Sequence, residues 1–527
     1  MQMPILDKDE RVFRDSYIFA ADLKAINIDN VLVNLFMLMR NDGARIKLRL
    51  KQGIFHEIKS LKLYFKELES RQEVDGFSKY PEATESWLRS SLVNMVNRGK
   101  MKENVSSMRP LHLESYRIRN QKHTKDYFAS DQVYIMLSQR PEVMKALKDY
   151  LWIGWDNASR KIVDNPTLDV DTAGLLHLIR LVEIDTMSAS TSRLSIPPVL
   201  KDQANLFCED IMRLLAYQNN IPRSVFIDYL RILIGFHLSL YFQKLIYLLP
   251  LMVKEGRVDV DDHWSQVVDM TDKLDSIVSP LACADMEKTV NGMIDYVKAS
   301  YKISTIRRIK MYDSFVDNAL QLIKNPTPEI DGAINYLLRK IYNNYKVNAK
   351  TNEEIAEAEQ NIKELQDYLK YEGSPLDQYV QCWMKVGSAY QLKYGRDFLD
   401  KASMKNETSA LIIDGRSRKH PRRGAIGSKL LEVLVQLLVL NKKNDGGGFE
   451  SRPLSIRELA MAIRKRYGLI IDGTDEPRFK DADIKTHLAF KENMEALKNK
   501  LRQIGFYTDL SDASSLQKIR PRYKFNA

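Results

Sequence analysis

The chain has little of what most enzymes are recognised by. Three cysteines in 527 residues, Cys208, Cys283 and Cys382, lie too far apart for a disulfide framework or for the C-x-x-C pairs of a zinc site. The eight histidines are scattered and form no H-E-x-x-H pair. There is no G-x-x-x-x-G-K-[ST] and no G-x-G-x-x-G; "GAIGSK" (424–429) has the glycines and the lysine at the wrong spacing for a phosphate cradle. His420 and Arg423 make an H-x-x-R without the context that would give it meaning. No internal repeat or low-complexity tract occurs, and "MQMPILDKDERVFRDSY" lacks the apolar core of a secretory signal. These absences point to a cytoplasmic protein with no cofactor, no metal and no catalytic residue to name, and away from an enzyme.

The one long apolar run, "VFIDYLRILIGFHLSLYFQKLIYLLPLMV" (225–253), has the length of a membrane span. Asp228, Arg231, His237, Gln243 and Lys244 interrupt it, and each ionised group at mid-membrane would cost about 2.5–3.5 kcal/mol. A buried helix is the better reading, with Asp228 and Arg231 paired at i,i+3 and His237 a satisfied core histidine. No membrane partner is expected.

What the chain does have is charge, unevenly placed. The formal net charge is +11, and residues 401–527 hold 26 Lys and Arg against 15 Asp and Glu. The remainder, 1–400, is balanced at 54 of each. An excess confined to one segment is the footprint of a nucleic-acid-binding module.

Apolar residues recur at 3–4 spacing in "NVLVNLFMLMR", "IFHEIKSLKLYFKELES", "AGLLHLIRLVEI" and "FCEDIMRLLAYQ", so the fold is expected to be mainly α. "TNEEIAEAEQNIKELQDYLKYE" (351–372) reads as an acidic amphipathic helix covering the core, with Ile355, Ile362, Leu365 and Leu369 on its stripe. Prolines near 200–220 and the basic turn of composition near 401 divide the chain into 1–210, 211–400 and 401–527.

The basic segment opens with "DGRSRKHPRRGAIGSK" (414–429), in which Pro421 and Gly424 oppose a helix. It is expected to be an extended arm offering Arg416, Arg418, Lys419, Arg422 and Arg423 to a phosphate backbone; the competing reading is a solvated linker. "SKLLEVLVQLLVL" (428–440) is a core helix. Ser455 and Glu458 form a capping-box pattern before a second helix, which ends in Arg464, Lys465 and Arg466 at Gly468. A third, "DIKTHLAFKENMEALKNKLRQIGF", spaces Phe490, Met494, Leu497, Leu501 and Ile504 by 4, 3, 4, 3 and offers Lys491, Asn499, Lys500 and Arg502 outward. "FYTDLSDASSLQKIRPRYKF" then reads as a hairpin whose second strand carries Lys518, Arg520 and Arg522.

Helix, helix, helix, hairpin resembles the winged helix-turn-helix family over about 428–524, which implies double-stranded DNA in the groove of the third helix and against the wing. Residues 468–484 depart from that pattern, being longer than the usual turn; an inserted strand or loop fills them, or the third helix is not a reading helix. A winged helix can also dock protein.

Two stretches, "IPRSVFIDYLRILIGFHLSLY" (221–241) and "LSDASSLQKIRPRY" (510–523), resemble accessory proteins of bacterial multi-gene anti-phage defence operons. The resemblance implies a non-catalytic subunit among other protein subunits; homo-oligomerisation stays open. Two rival readings remain. One is a divergent metal-dependent nuclease or toxin using Asp164, Asp169 and Asp171, or Glu57 and Lys59, whose "HEIK" resembles half of a restriction-type site. The other is a scaffold whose winged helix binds protein.

Overall fold

The long apolar run folds as a 33-residue helix, Arg223–Glu255. Pro222 precedes it, and Asp169 accepts the Ser224 N–H at 2.8 Å. It stops at Gly256, φ 76°, whose N–H reaches the Met252 carbonyl at 2.8 Å. A side chain there would oppose the left-handed backbone and meet Lys324. A helix apolar on every side must be buried on every side. Helices Lys201–Leu215, Ser279–Ile309, Pro375–Ala402 and Ser428–Leu438 surround it. It is long and apolar enough to cross a membrane, yet 89% of its most apolar window is buried within the fold.

The polar residues along this helix find partners elsewhere. Asp228 and Arg231 do not pair with one another as their spacing predicts. Arg231 meets Asp29 at 3.0 Å, and Asp228 stands 3.6 Å from Arg109, because surrounding elements bring opposite charges closer than the neighbouring turn does. His237 is fully buried between Asp210 (3.0 Å) and Gln203 (3.2 Å).

The structure is a computed structural model describing Leu6, residues 12–50, 57–96, 104–163, 168–182, 184–310, 315–347, Ala349, 351–443, 448–507, 518–519, 521–523 and Phe525. It is mainly α, with sixteen α-helices among the described residues. Its strands form short two-stranded ribbons, the longest pairing Ala44–Leu50 antiparallel with Ile184–Arg193. The acidic helix, Asn352–Leu369, starts at a Thr351–Glu354 capping box and buries Ala358, Leu365 and Leu369, while Ile355 is exposed. One apolar cluster draws residues from all three sequence segments, from Leu6 to Ile519.

The basic segment contains helices Ser428–Leu438, Ile456–Tyr467 and Ile484–Gln503, with an antiparallel ribbon, Leu440–Lys442 and Phe449–Ser451, between the first two. The Ser455–Glu458 capping box and the left-handed Gly468 (φ 78°) form as the sequence predicts. An inserted strand, Leu469–Ile470, does occupy the long second connection, and it pairs in parallel with Gln266–Val267 of the body. Body residues 266–269 thus run between two C-terminal pieces: Val268 N–H donates to Ile470 O (3.0 Å) and Asp269 N–H to Gly424 O (2.8 Å). Buried Asn493 completes the joint, donating to Val268 O and Ile471 O and accepting from Met270 N–H. The tip of the predicted C-terminal hairpin, 508–517, and Arg520 lie outside the described residues. Beyond them Ile519 bridges Leu454 antiparallel, and Ser451 Oγ donates to Tyr523 O at 3.1 Å.

Candidate nucleic-acid interface

The opening basic run is neither an extended arm nor a linker. Ile412–Ile413 pairs antiparallel with Arg423–Gly424, and a tight turn closes with His420 N–H on Ser417 O (3.0 Å) and Gly415 N–H on His420 O (2.8 Å). The arm expectation fails because two of its arginines are anchors. Arg423 is 1% exposed, 3.0 Å from Asp269 and ion-paired with Asp414. Arg422 grips Asp400 through two bonds of 2.8–2.9 Å. Burial would raise the Asp400 carboxyl, but Arg422 and Lys405 hold it below its usual value. At the turn, Arg418 and Lys419 are exposed, and Arg416 is 69% exposed, 3.5 Å from Asp414.

The remaining predicted contact residues divide the same way. Arg464 pairs with Glu476, and Arg522 with Glu432 at 2.6 Å while also donating to Ile504 O. Lys500 is buried, 2.9 Å from Asp272 and 3.0 Å from Ile426 O. Lys465, Lys491, Asn499, Arg502 and Lys518 are exposed, with Arg502 donating to Asn499 Oδ1 at 3.0 Å. On the outward face of Ile484–Gln503, Lys491 and Arg502 share a stripe with Glu495, while Phe490 and Asn493 hold the opposite face to the body.

The firmest joint centres on Asp210. Its Oδ1 accepts from Arg466 Nη2 at 2.6 Å, and its Oδ2 accepts from Tyr467 Oη at 2.8 Å and faces His237 Nε2 at 3.0 Å. Arg466 also reaches Glu209 at 2.9 Å. Burial by itself would raise the Asp210 carboxyl; His237 and Arg466 outweigh that and keep it below its ordinary value. Burial pushes His237 down, so this network holds a neutral imidazole. Four cations read from the sequence as phosphate contacts, Arg422, Arg423, Arg466 and Lys500, therefore meet carboxylates of the segments 1–400.

For the nuclease alternative, no group of three or more His, Cys, Asp or Glu side chains could hold a metal ion among the described residues. Asp169 caps helix Val170–Leu181 through the Thr172 N–H, Asp171 accepts from Trp87 Nε1 at 2.7 Å, and Glu57 sits at the N-cap of Ile58–Ser70. Asp164 lies outside the described residues.

A second gathering of cations, which the sequence reading passed over, lines a cleft in the N-terminal part: Arg45, Lys47, Arg119 and Lys125. The alternation in "ARIKLRL" (44–50) was its only local signal.

These features define a class: a mainly α protein whose basic C-terminal segment is locked to a helical body and keeps a reduced set of exposed cations. Residues 8–523 match the model of the methylation-associated defense system protein MAD7, and the chain belongs to that family, in accord with its resemblance to defence-operon proteins. No curated protein matches it.

Proposed function

We propose that the chain is a non-enzymatic subunit of a multi-protein defence assembly that holds duplex DNA through its C-terminal segment. The observation that carries this reading is exposure: Arg416, Arg418 and Lys419 on one turn, and Lys465, Lys491, Arg502 and Lys518 beyond it, face solvent. Exposed cations on ordered backbone neutralise phosphates and release counterions without reading sequence. A winged-helix-like reading draws support from the Leu454–Ile519 bridge, which brings the chain end beside the connection between the first two helices. The helical body is the part offered to other subunits.

The experiment is fluorescence anisotropy of a labelled duplex with the full chain across 50–200 mM salt, a range over which a protein contacting several phosphates loses orders of magnitude in affinity. The informative variant carries Arg416→Glu, Arg418→Glu, Lys419→Glu and Lys491→Glu, because reversing Arg422 or Arg423 would break anchors instead. Affinity reduced by about tenfold or more with unchanged melting supports the reading. Affinity equal to that of the unaltered chain refutes it.

A further inference from the structure

Between helix Ile28–Arg40 and the ribbon Ala44–Leu50/Ile184–Arg193 lies a cavity of about 600 Å³, within the range of small-ligand sites. Arg119 stands in its wall, and among the described residues its hydrogen bonds go to neutral groups: Asn34 Oδ1, Met37 Sδ at 3.0 Å and Ile46 O at 3.4 Å. Its Nε is buried with no hydrogen-bond partner among the described residues. Burial brings this guanidinium down to about 10 although the Asp126 carboxylate in the same lining pulls the other way, so its positive charge is only partly compensated. Arg45 is different, being bound to Asp131 and to Asp126 at 3.2 Å. Lys47 and Lys125, both exposed at the rim, make no ion pair among the described residues.

The same cavity is lined by Tyr127 and Phe128, two successive non-glycine residues in the left-handed region at φ 51° and 62°. Such backbone costs of order 1–3 kcal/mol per residue and persists where its surroundings enforce it. Here Phe128 is 37% exposed, with the guanidinium of Arg45 4.8 Å and that of Arg14 3.8 Å from its ring centroid. An anion-seeking arginine, two free lysines and an aromatic–guanidinium wall match the two halves of one chemical class, a phosphate joined to a flat base.

We infer that this cleft binds a nucleotide, its phosphate on Arg119, Lys47 and Lys125 and its base against Phe128, whether free in solution or as a unit of a single strand. The inference uses none of the C-terminal residues and stands apart from the duplex-binding proposal. Isothermal titration calorimetry of the full chain with AMP, ATP and a single-stranded octathymidylate tests it, with inorganic phosphate as competitor. Binding of a mononucleotide alone identifies a free ligand; binding of the octathymidylate identifies a strand.

In either case Lys47→Glu with Lys125→Glu, both at exposed positions, should weaken binding by about tenfold or more. Phe128→Gly, which suits the left-handed backbone, should weaken nucleotide binding by about tenfold and leave inorganic phosphate unaffected. The inference fails if none of the three nucleotide probes binds, if the double lysine variant binds as the unaltered chain does, or if Phe128→Gly changes nothing. It fails also if octathymidylate binding is lost only with the C-terminal reversal.

Discussion

The C-terminal segment and the N-terminal cleft invert what formal charge suggests. Residues 401–527 hold the whole excess of +11, yet four of their cations close on carboxylates of the body. The body is neutral by count, yet it contains a largely buried arginine, Arg119, whose hydrogen bonds among the described residues all go to neutral groups. Potential follows pairing in space, and a tally along the chain sees only the numbers to be paired. Cations facing acids across the joint fasten the segment to the body; cations without such a neighbour are the ones available to a ligand.

The largest test of this contrast removes an acid at the joint. Asp210→Ala leaves Arg466 with Glu209 as its carboxylate partner among the described residues and takes a partner from both Tyr467 and His237. Breaking one side of a buried pair costs about 3–5 kcal/mol, so chemical unfolding should reveal a loss of that size. A change under about 1 kcal/mol would mean that the joint is solvated and that Arg466 is available to a phosphate after all.

The next compares two arginines five positions apart. Arg423→Gln strands the buried Asp269 and Asp414 and should cost about 3 kcal/mol or more, whereas Arg418→Gln, at an exposed turn, should stay within about 0.5 kcal/mol. Equal effects on the melting curve would erase the division into anchors and free cations.

Acid sharpens the comparison from the body's side. His112 is buried, its Nε2 at 3.1 Å from the Trp152 carbonyl and its Nδ1 accepting the Glu114 N–H, and burial pushes it down to about 3. Its folded value lies below the ordinary 6.5, so the unfolded chain takes up a proton that the native chain refuses. Stability is complete above about pH 6.5 and falls as pH drops toward 3, by about 1.4 kcal/mol per unit for this residue, or about 2 kcal/mol by pH 5. His237 is shifted in the same direction. His112→Gln should flatten the slope by roughly one proton between pH 6.5 and 5; an unchanged slope would place the titration elsewhere.

What the sequence made legible was local. The helical class, the Ser455–Glu458 box, the Gly468 stop and the burial of the long apolar run all follow from periodicity and caps within a few residues of each other. The joints were hidden because their partners are distant: Arg466 and Asp210 are 256 positions apart. The hairpin at 412–424 was read as an extended arm because Pro421 and Gly424 exclude a helix equally in both forms. The pairing that decides between them depends on Asp269 and Asp400, which no local pattern brings near. The N-terminal cleft left almost no trace, since Arg45 and Arg119 come from separate elements and the left-handed Tyr127–Phe128 contains no glycine to announce it.

The smallest expected effect addresses the exposed set alone. If Arg418 and Lys419 each neutralise a phosphate, Arg418→Gln should leave folding untouched and reduce the slope of log affinity against log salt by about 0.9, with Arg418→Gln/Lys419→Gln reducing it by about twice that. Arg422→Gln would behave otherwise: the bidentate grip on Asp400 is lost, melting falls, and any change in affinity comes through the displaced turn with no matching change in slope. Salt titrations of these variants against one duplex therefore separate a cation that meets DNA from one that positions the loop. An unaltered slope in the double variant would remove the turn from the interface and leave the outward face of Ile484–Gln503 to account for it.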